Sequence, residues 1–101
     1  MKSSRRLRLS PEARADDRDI RRYTTQRRGA RQRDLYYARL NQGMHALLDY
    51  PERGRSRDDL YAGCRGLPVE QHVVFYYLTD GEVVIDRVLH GSQDPTGKVG
   101  P

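Results

Sequence analysis

The sequence contains no tryptophan and only one phenylalanine among its 101 residues, so seven tyrosines supply most of the aromatic side chains. Only 36% of the residues are hydrophobic, whereas 33% are charged. A chain of this size buries about two-thirds of the surface that it exposes when unfolded. We therefore expect a single small domain spanning residues 1–101, with a folded core at about residues 5–90 and a frayed C-terminal tail at 91–101.

Cysteine is almost absent. Cys64 stands alone, which excludes an intramolecular disulfide and a cysteine zinc cluster. The three histidines have no companions at metal-ligand spacings, so neither a metal nor a cofactor is expected. No run approaches the roughly 18 apolar residues of a membrane span, and "MKSSRRLRLS" lacks the apolar segment of a signal peptide. These absences predict a cytoplasmic protein that does not contact a membrane.

Lysine is also scarce, because 17 of the 19 basic residues are arginines. The positive charge is concentrated at the N-terminus: residues 1–33 hold 12 of these basic residues and only four of the 14 acidic ones. Arginine suits bidentate contacts with carboxylates and phosphates. The distribution indicates an acidic partner, either a nucleic acid or an acidic protein, and composition does not distinguish the two.

The N-terminal half predicts a short strand and two helices. "RRLRLS" alternates apolar and charged residues, as a strand does. Ser10 is suited to cap a first helix over Pro11–Arg28, and Gly29 is suited to end it. A second helix is predicted over Ala30–Asp49. Its apolar residues recur at spacings of three and four: Tyr36, Tyr37, Leu40, Met44, Leu47 and Leu48.

The first of these helices has a poorer apolar face. Ala13, Ile20, Tyr23 and Thr24 fall on one stripe, but Asp17 occupies a place on it that favours an apolar residue. Because only Gly29 separates the two helices, they are predicted to form an antiparallel hairpin.

The C-terminal half predicts a polar loop, "PERGRSRDDLYAG", followed by three strands at about Cys64–Leu67, Gln71–Thr79 and Glu82–Leu89. Asp80-Gly81 fits the positive φ angles of a type I′ turn between the last two strands. Strict alternation would place Val83, Ile85, Arg87 and Leu89 on one face of the sheet. The predicted class is α+β with the order β-α-α-β-β-β: an N-terminal strand, a helical hairpin on one face of the sheet, and a three-stranded antiparallel meander.

These motifs, in this order, resemble a known family. "LRLSPEA", the helix–Gly–helix unit, "YPERGR" and above all "HVVFYYLTDGEVVIDRVLHGSQD" are similar to toxins of the ParE/RelE superfamily from bacterial type II toxin–antitoxin modules, and most similar to the ParE branch. The resemblance implies a toxin that is neutralised by direct binding of a cognate antitoxin. ParE relatives inhibit DNA gyrase and need no catalysis of their own, so no catalytic residue is expected.

RelE relatives share the fold but cut mRNA on the ribosome, which is the alternative function. Cutting RNA requires a proton acceptor, cationic groups for the phosphate and a proton donor. The candidates for these roles are Arg65, Arg87 and His90.

The resemblance also implies an antitoxin of the ribbon-helix-helix type with an acidic C-terminal arm, and leaves sequence-specific DNA contacts to that antitoxin. The arm is expected to fold on the toxin. The predicted antitoxin-binding residues are Arg18, Arg21, Arg22, Arg28, Leu40, Met44 and Leu47, and the three apolar residues are expected to serve the core as well.

Overall fold

A five-stranded sheet with a long helical segment on one face makes up the computed structural model, which describes residues 4–101. The elements are β1 (Arg6–Leu9), α1 (Pro11–Asp49), β2 (Arg55–Ser56), β3 (Arg65–Val69), β4 (His72–Leu78) and β5 (Glu82–His90). The strand order is β1-β5-β4-β3-β2, in which β1 runs parallel to β5 and the other pairs are antiparallel. The α+β class is confirmed, but the predicted order lacks β2, which lies in the segment expected to be a loop.

Helix α1 is broken at Gly29, whose φ of 84° and ψ of 171° are not helical. The break divides α1 into a first arm (residues 11–28) and a second arm (residues 30–49). The guanidinium carbon of Arg21 lies 3.8 Å from the centre of the Tyr37 ring, although a continuous helix would separate the two residues by about 24 Å. Gly29 therefore folds the segment into the predicted helical hairpin.

The start of α1 is fixed to the sheet by its cap. The Ser10 hydroxyl accepts a hydrogen bond from the Ala13 amide at 3.0 Å and donates one to the Asp86 carbonyl at 2.6 Å. Pro11 follows at the first helical position, where no amide hydrogen is needed. One serine thus satisfies a free helix amide and a carbonyl of β5.

The main core lies between the helical hairpin and the sheet. Its buried members are Ala13, Ile20, Leu40, Met44, Leu47, Val74, Tyr76, Val83, Ile85 and Val88. The second arm approaches β3 closely, because a Cβ atom on Gly43 would lie 2.8 Å from a methyl group of Val69. The apolar stripe of the second arm therefore packs directly on the sheet.

The other face of the sheet carries a smaller core. Cys64, Phe75 and Leu89 are buried there beneath Leu60, Tyr61, Val73 and Val99. Burial raises the pKa of the Cys64 thiol, which keeps it protonated. The tail and the loop after β2 therefore cover apolar surface on this face.

The tail, expected to fray, makes hydrogen bonds with β5. The Gly100 amide donates to the Asp86 carboxylate at 2.8 Å, and the Lys98 carbonyl accepts from Arg87 at 3.0 Å. Asp86 is only 3% exposed, and its second partner is the Tyr61 hydroxyl at 3.0 Å. A buried carboxylate needs such donors, and the tail supplies one of them.

A β-bulge at Asp86 overturns the predicted alternation along β5. Phe75 pairs with Arg87 while the next residue, Tyr76, pairs with Ile85, so Asp86 is an extra residue. Val83, Ile85 and Val88 consequently face the helices, whereas Leu89 faces the smaller core. Arg87 lies on the Leu89 side and not, as predicted, on the side of Ile85.

The predicted type I′ turn is also absent, since neither Asp80 nor Gly81 has a positive φ. The Thr79 amide donates to the Glu82 carbonyl at 2.9 Å and the Thr79 hydroxyl accepts from the Glu82 amide at 2.9 Å, which closes the connection without positive φ angles. Among the described residues other than glycine, the one with a positive φ, 54°, is Glu70, which lies in the two-residue turn between β3 and β4.

Candidate functional site

A cleft of about 860 Å³ lies between the arms of the helical hairpin and the end of the sheet. The first arm contributes Asp19, Ile20, Tyr23, Thr24, Arg27 and Arg28, and the second arm contributes Gln32, Leu35, Tyr36 and Arg39. The sheet end contributes Glu70, Gln71, His72, His90 and Ser92. The break at Gly29 creates this cleft, because it turns both arms toward the same region.

Two large apolar side chains in the cleft are exposed to solvent: Tyr23 is 60% exposed and Leu35 is 47% exposed. The guanidinium of Arg27 lies 5.3 Å from the centre of the Tyr23 ring, and Arg28 and Arg39 add further positive charge. Exposed apolar groups bordered by cations suit a partner segment that is amphipathic and acidic.

The sheet end of the cleft holds a row of three rings. His72 and His90 are opposite each other on β4 and β5, with ring centres 5.4 Å apart, and Tyr36 lies 5.5 Å from His72. The Tyr36 hydroxyl is 2.5 Å from Nδ1 of His72 and accepts from the Gln71 amide at 3.0 Å. Burial, with the charge of His90 second, lowers the pKa of His72, while burial raises the pKa of Tyr36.

The predicted antitoxin-binding arginines are all exposed, but the structure does not bring them together. Arg28 lines the cleft. Arg21 and Arg22 instead line a separate, shallower groove of about 510 Å³, and Arg18 lines neither. Arg21 is also held by Asp17, with Nη2 3.4 Å from Oδ2, so its guanidinium is already engaged.

The three predicted apolar contacts belong to the core. Leu40 and Leu47 are fully buried and Met44 is 2% exposed, which leaves them no open surface in this chain. Contact of Leu40, Met44 and Leu47 with an antitoxin therefore remains a prediction. The apolar surface that is open at the cleft comes from Tyr23 and Leu35 instead.

The sequence did not single out Leu35. It is out of phase with the buried stripe of the second arm, and a large apolar residue off such a stripe is the signal that could have indicated it.

The two arginines considered for an RNA-cutting site are held by other parts of the chain. Arg65 donates to the carbonyls of Gly54 at 2.7 Å and Glu52 at 3.3 Å, which anchors the segment before β2. Arg87 binds the carboxylate of Asp16 and the Lys98 carbonyl. Both guanidiniums therefore link segments of the fold.

His90, the third candidate, lies apart from these arginines. It pairs with His72 in the cleft, whereas Arg87 pairs with Phe75 on the other face of the sheet. Arg65 pairs with Tyr76, four residues along β4 from His72. The structure thus does not assemble Arg65, Arg87 and His90 into one site.

Across residues 4–101, no helix is sufficiently long and apolar to span a membrane. The same residues contain no group of three or more His, Cys, Asp or Glu side chains that could hold a metal ion.

Comparisons with known proteins agree on one family. The family described as "ParE toxin of type II toxin-antitoxin system, parDE" matches residues 7–95. Toxin ParE1 of Caulobacter vibrioides is 37% identical over 93 residues, covering 92% of this chain and 96% of that protein. Toxin ParE1 of Mycobacterium tuberculosis is 36% identical and covers 91% and 94%, respectively.

A solved structure, described as the chromosomal ParDE TA system from P. aeruginosa, superposes with a TM-score of 0.75. It covers 86% of this chain and 96% of its own, at 18% identity, and so shows likeness of fold.

Proposed function

Because this chain belongs to the family of ParE toxins of type II toxin–antitoxin systems, we propose that it inhibits DNA gyrase and is neutralised by direct binding of a cognate antitoxin. Family membership carries the proposal. The match covers residues 7–95. This range includes both arms of the hairpin and all the strands, apart from the first residue of β1. The likeness to the family therefore extends over nearly all the secondary structure of the described chain.

The cleft supports the antitoxin part of the proposal. It exposes Tyr23 and Leu35, which an apolar face of a partner helix would bury, and it is bordered by arginines that would meet acidic side chains. The concentration of arginine in the first 33 residues favours fast association with an acidic segment. We infer that the acidic C-terminal arm of a ribbon-helix-helix antitoxin occupies this cleft.

Direct reading of DNA by this chain has less support. The elements of residues 4–101 form a sheet with a helical hairpin packed on it, and Ile20 and Leu40 of that hairpin are buried against the sheet. A recognition helix must instead stand free to enter the major groove. Contacts with operator DNA are therefore assigned to the antitoxin.

A supercoiling assay tests the proposed target. Purified gyrase converts relaxed plasmid to the supercoiled form, and the full chain should block this conversion at a modest molar excess. Addition of the antitoxin encoded beside the toxin should restore it. Unchanged supercoiling at a large molar excess of correctly folded chain would contradict gyrase inhibition.

The alternative, cutting of mRNA on the ribosome, has less support, because Arg65 and Arg87 are hydrogen-bonded within the chain and lie apart from His90. Primer extension on translated mRNA separates the two functions. Cuts that disappear in a double variant, Arg87→Ala with His90→Ala, would favour the alternative.

A further inference from the structure

His72 and His90 form a histidine pair. In each imidazole ring, one nitrogen has a hydrogen-bond partner in the described chain and the other has none. Nδ1 of His72 faces the Tyr36 hydroxyl, and Nδ1 of His90 faces the Ser92 hydroxyl at 2.7 Å and accepts from the Ser92 amide at 3.1 Å. Neither Nε2 atom has a hydrogen bond to any other residue between 4 and 101. Both rings line the cleft.

Hydrogen-bond directions fix which nitrogens carry protons. The Tyr36 oxygen already accepts from the Gln71 amide, and its only other close polar neighbour in the described chain is Nδ1 of His72. The hydroxyl therefore donates to that Nδ1, which leaves the proton of His72 on Nε2. The Ser92 amide can only donate, so His90 likewise carries its proton on Nε2.

Two neighbouring N–H donors are a site for an anion and a poor site for a metal. A metal ion needs a lone pair at Nε2, and here that lone pair is replaced by a proton whose position the Nδ1 contacts enforce. A carboxylate accepts hydrogen bonds and carries the charge that the arginines lining the same cleft, Arg27, Arg28 and Arg39, favour. The chemistry of the pair thus selects an acidic group.

No carboxylate among residues 4–101 is hydrogen-bonded to either histidine ring. Glu70 is paired with Arg39, with Oε1 3.3 Å from Nη1, and Asp16 is paired with Arg87. Asp19 lines the cleft from the first arm and makes no hydrogen bond or ion pair within the described residues. The charged and titratable groups around the pair are therefore Tyr36, the arginines and acids that line the same cleft, and Asp16, whose charge acts on His72.

We propose that His72 and His90 form a carboxylate-binding subsite that receives one acidic side chain of the antitoxin segment in the cleft, and that binding carries a proton onto His90. This inference rests on the proposed function. His90 takes the proton because it is exposed, and because the Ser92 oxygen can accept from a protonated Nδ1 in place of the hydrogen bond that Nδ1 receives from the Ser92 amide. His72 stays neutral and holds its Nε2–H toward the ligand.

The subsite makes antitoxin affinity depend on pH. Because binding takes up a proton, the affinity for the antitoxin should rise severalfold when the pH falls from about 8 to about 6. Calorimetry with the antitoxin encoded beside the toxin should show this gain for the natural chain. His90→Gln should remove it, and His45→Gln, on the exposed side of the second arm, should retain it.

A second measurement does not need the antitoxin. Sodium acetate, compared with sodium chloride at equal ionic strength, should shift the imidazole nitrogen signals of His72 and His90 more than those of His45. His45 differs in tautomer as well, because its Nδ1 donates to the Asn41 carbonyl at 3.0 Å.

The outcomes separate the two proposals. Antitoxin that binds equally well at both pH values, with or without His90→Gln, would overturn the subsite and leave the docking intact. Antitoxin that does not bind at all would overturn the docking, and the acetate titration then decides the subsite. Acetate shifts no larger at the pair than at His45 would overturn it.

Discussion

Arg87 and Asp16 form a bidentate ion pair, with Nε 2.7 Å from Oδ2 and Nη2 2.9 Å from Oδ1. The same Oδ2 accepts from the Val88 amide at 2.9 Å. That amide lies beyond the end of β1, where β5 has lost its parallel neighbour and its backbone donors need other partners. The pair thus connects the first helical arm to the part of β5 that has no strand beside it on the β1 side.

Removal of this pair should destabilise the fold. The two side chains are only 23% and 13% exposed, so Arg87→Ala leaves Asp16 largely buried without its cation. We expect the free energy of unfolding to fall by about 2 kcal/mol in urea titrations. Arg8→Ala is the matched control, because the Arg8–Glu82 pair is 46% and 35% exposed and should matter little. Equal effects of the two substitutions would contradict this role.

Gly54 should not tolerate a side chain. Its amide donates to the buried Tyr76 hydroxyl at 2.9 Å, and a Cβ atom there would lie 2.6 Å from a ring carbon of the same tyrosine. Gly54→Ala should therefore lower the free energy of unfolding by about 2 kcal/mol, since a packed core resists insertion. Gly81→Ala, with no atom within 4 Å of the added carbon, is the control for thermal unfolding. A Gly54 variant as stable as the Gly81 variant would refute the close fit.

Asp17 should weaken the fold at neutral pH. Burial raises the pKa of its carboxyl more than Arg21 and Arg18 lower it, and its Oδ1 is buried without a hydrogen-bond partner in the described chain. Because the folded pKa exceeds the unfolded one, the folded state favours the protonated acid, and stability falls as pH rises through this range.

The test is the pH dependence of one substitution. Asp17→Asn should raise the unfolding midpoint at about pH 7, and the gain should shrink toward about pH 3, where the natural carboxyl is protonated. Asp19→Asn, at an exposed position, is the control. A destabilised Asp17→Asn protein at neutral pH would show that the Arg21 contact outweighs the desolvation.

Removal of residues 98–101 should also cost stability. The deletion exposes part of the smaller core beneath Val99 and takes one of two donors from the buried Asp86. We expect a loss of about 2 kcal/mol in the free energy of unfolding. Thr96→Ala, elsewhere in the tail, should have little effect. Unchanged stability after the deletion would mean that the tail contacts contribute nothing.

Tyr23→Ser and Leu35→Ser should weaken antitoxin binding about tenfold each, because large apolar anchors dominate interface energies. Both residues are exposed, so the fold should be retained. Tyr50→Ser is a matched control: Tyr50 is 63% exposed and does not line the cleft. Equal affinities for all three variants would place the antitoxin elsewhere on the toxin.

The helical hairpin and the three long strands were predictable, because each follows from a local pattern. Gly29 between two helical segments and the alternation after Gln71 indicate their structures without reference to distant residues. The parallel pairing of β1 with β5 was not predictable in this way. It joins residues about 75 positions apart, and no local periodicity encodes such a partner.

The site was less predictable than the fold. The cluster of arginines was evident, but its division between two grooves depends on how the arms turn at Gly29. The partner of Arg87 is 71 residues away and the bulge at Asp86 is invisible to strict alternation, so sequence reasoning treated a structural arginine as a catalytic candidate. Tertiary contacts of this kind determine which charged groups remain open.

The pairing of β1 with β5, which comes much later in the chain, has a consequence for the order in which the fold forms. Leu7 and Leu9 are synthesised before residues 82–85, yet their strand has no neighbour in the sheet until those later residues are present. A nascent chain that has emerged only as far as α1 therefore holds β1 without its pairing partner. Closure of the sheet waits for β5, so the N-terminal strand is among the last parts of the fold to be fixed although it is made first.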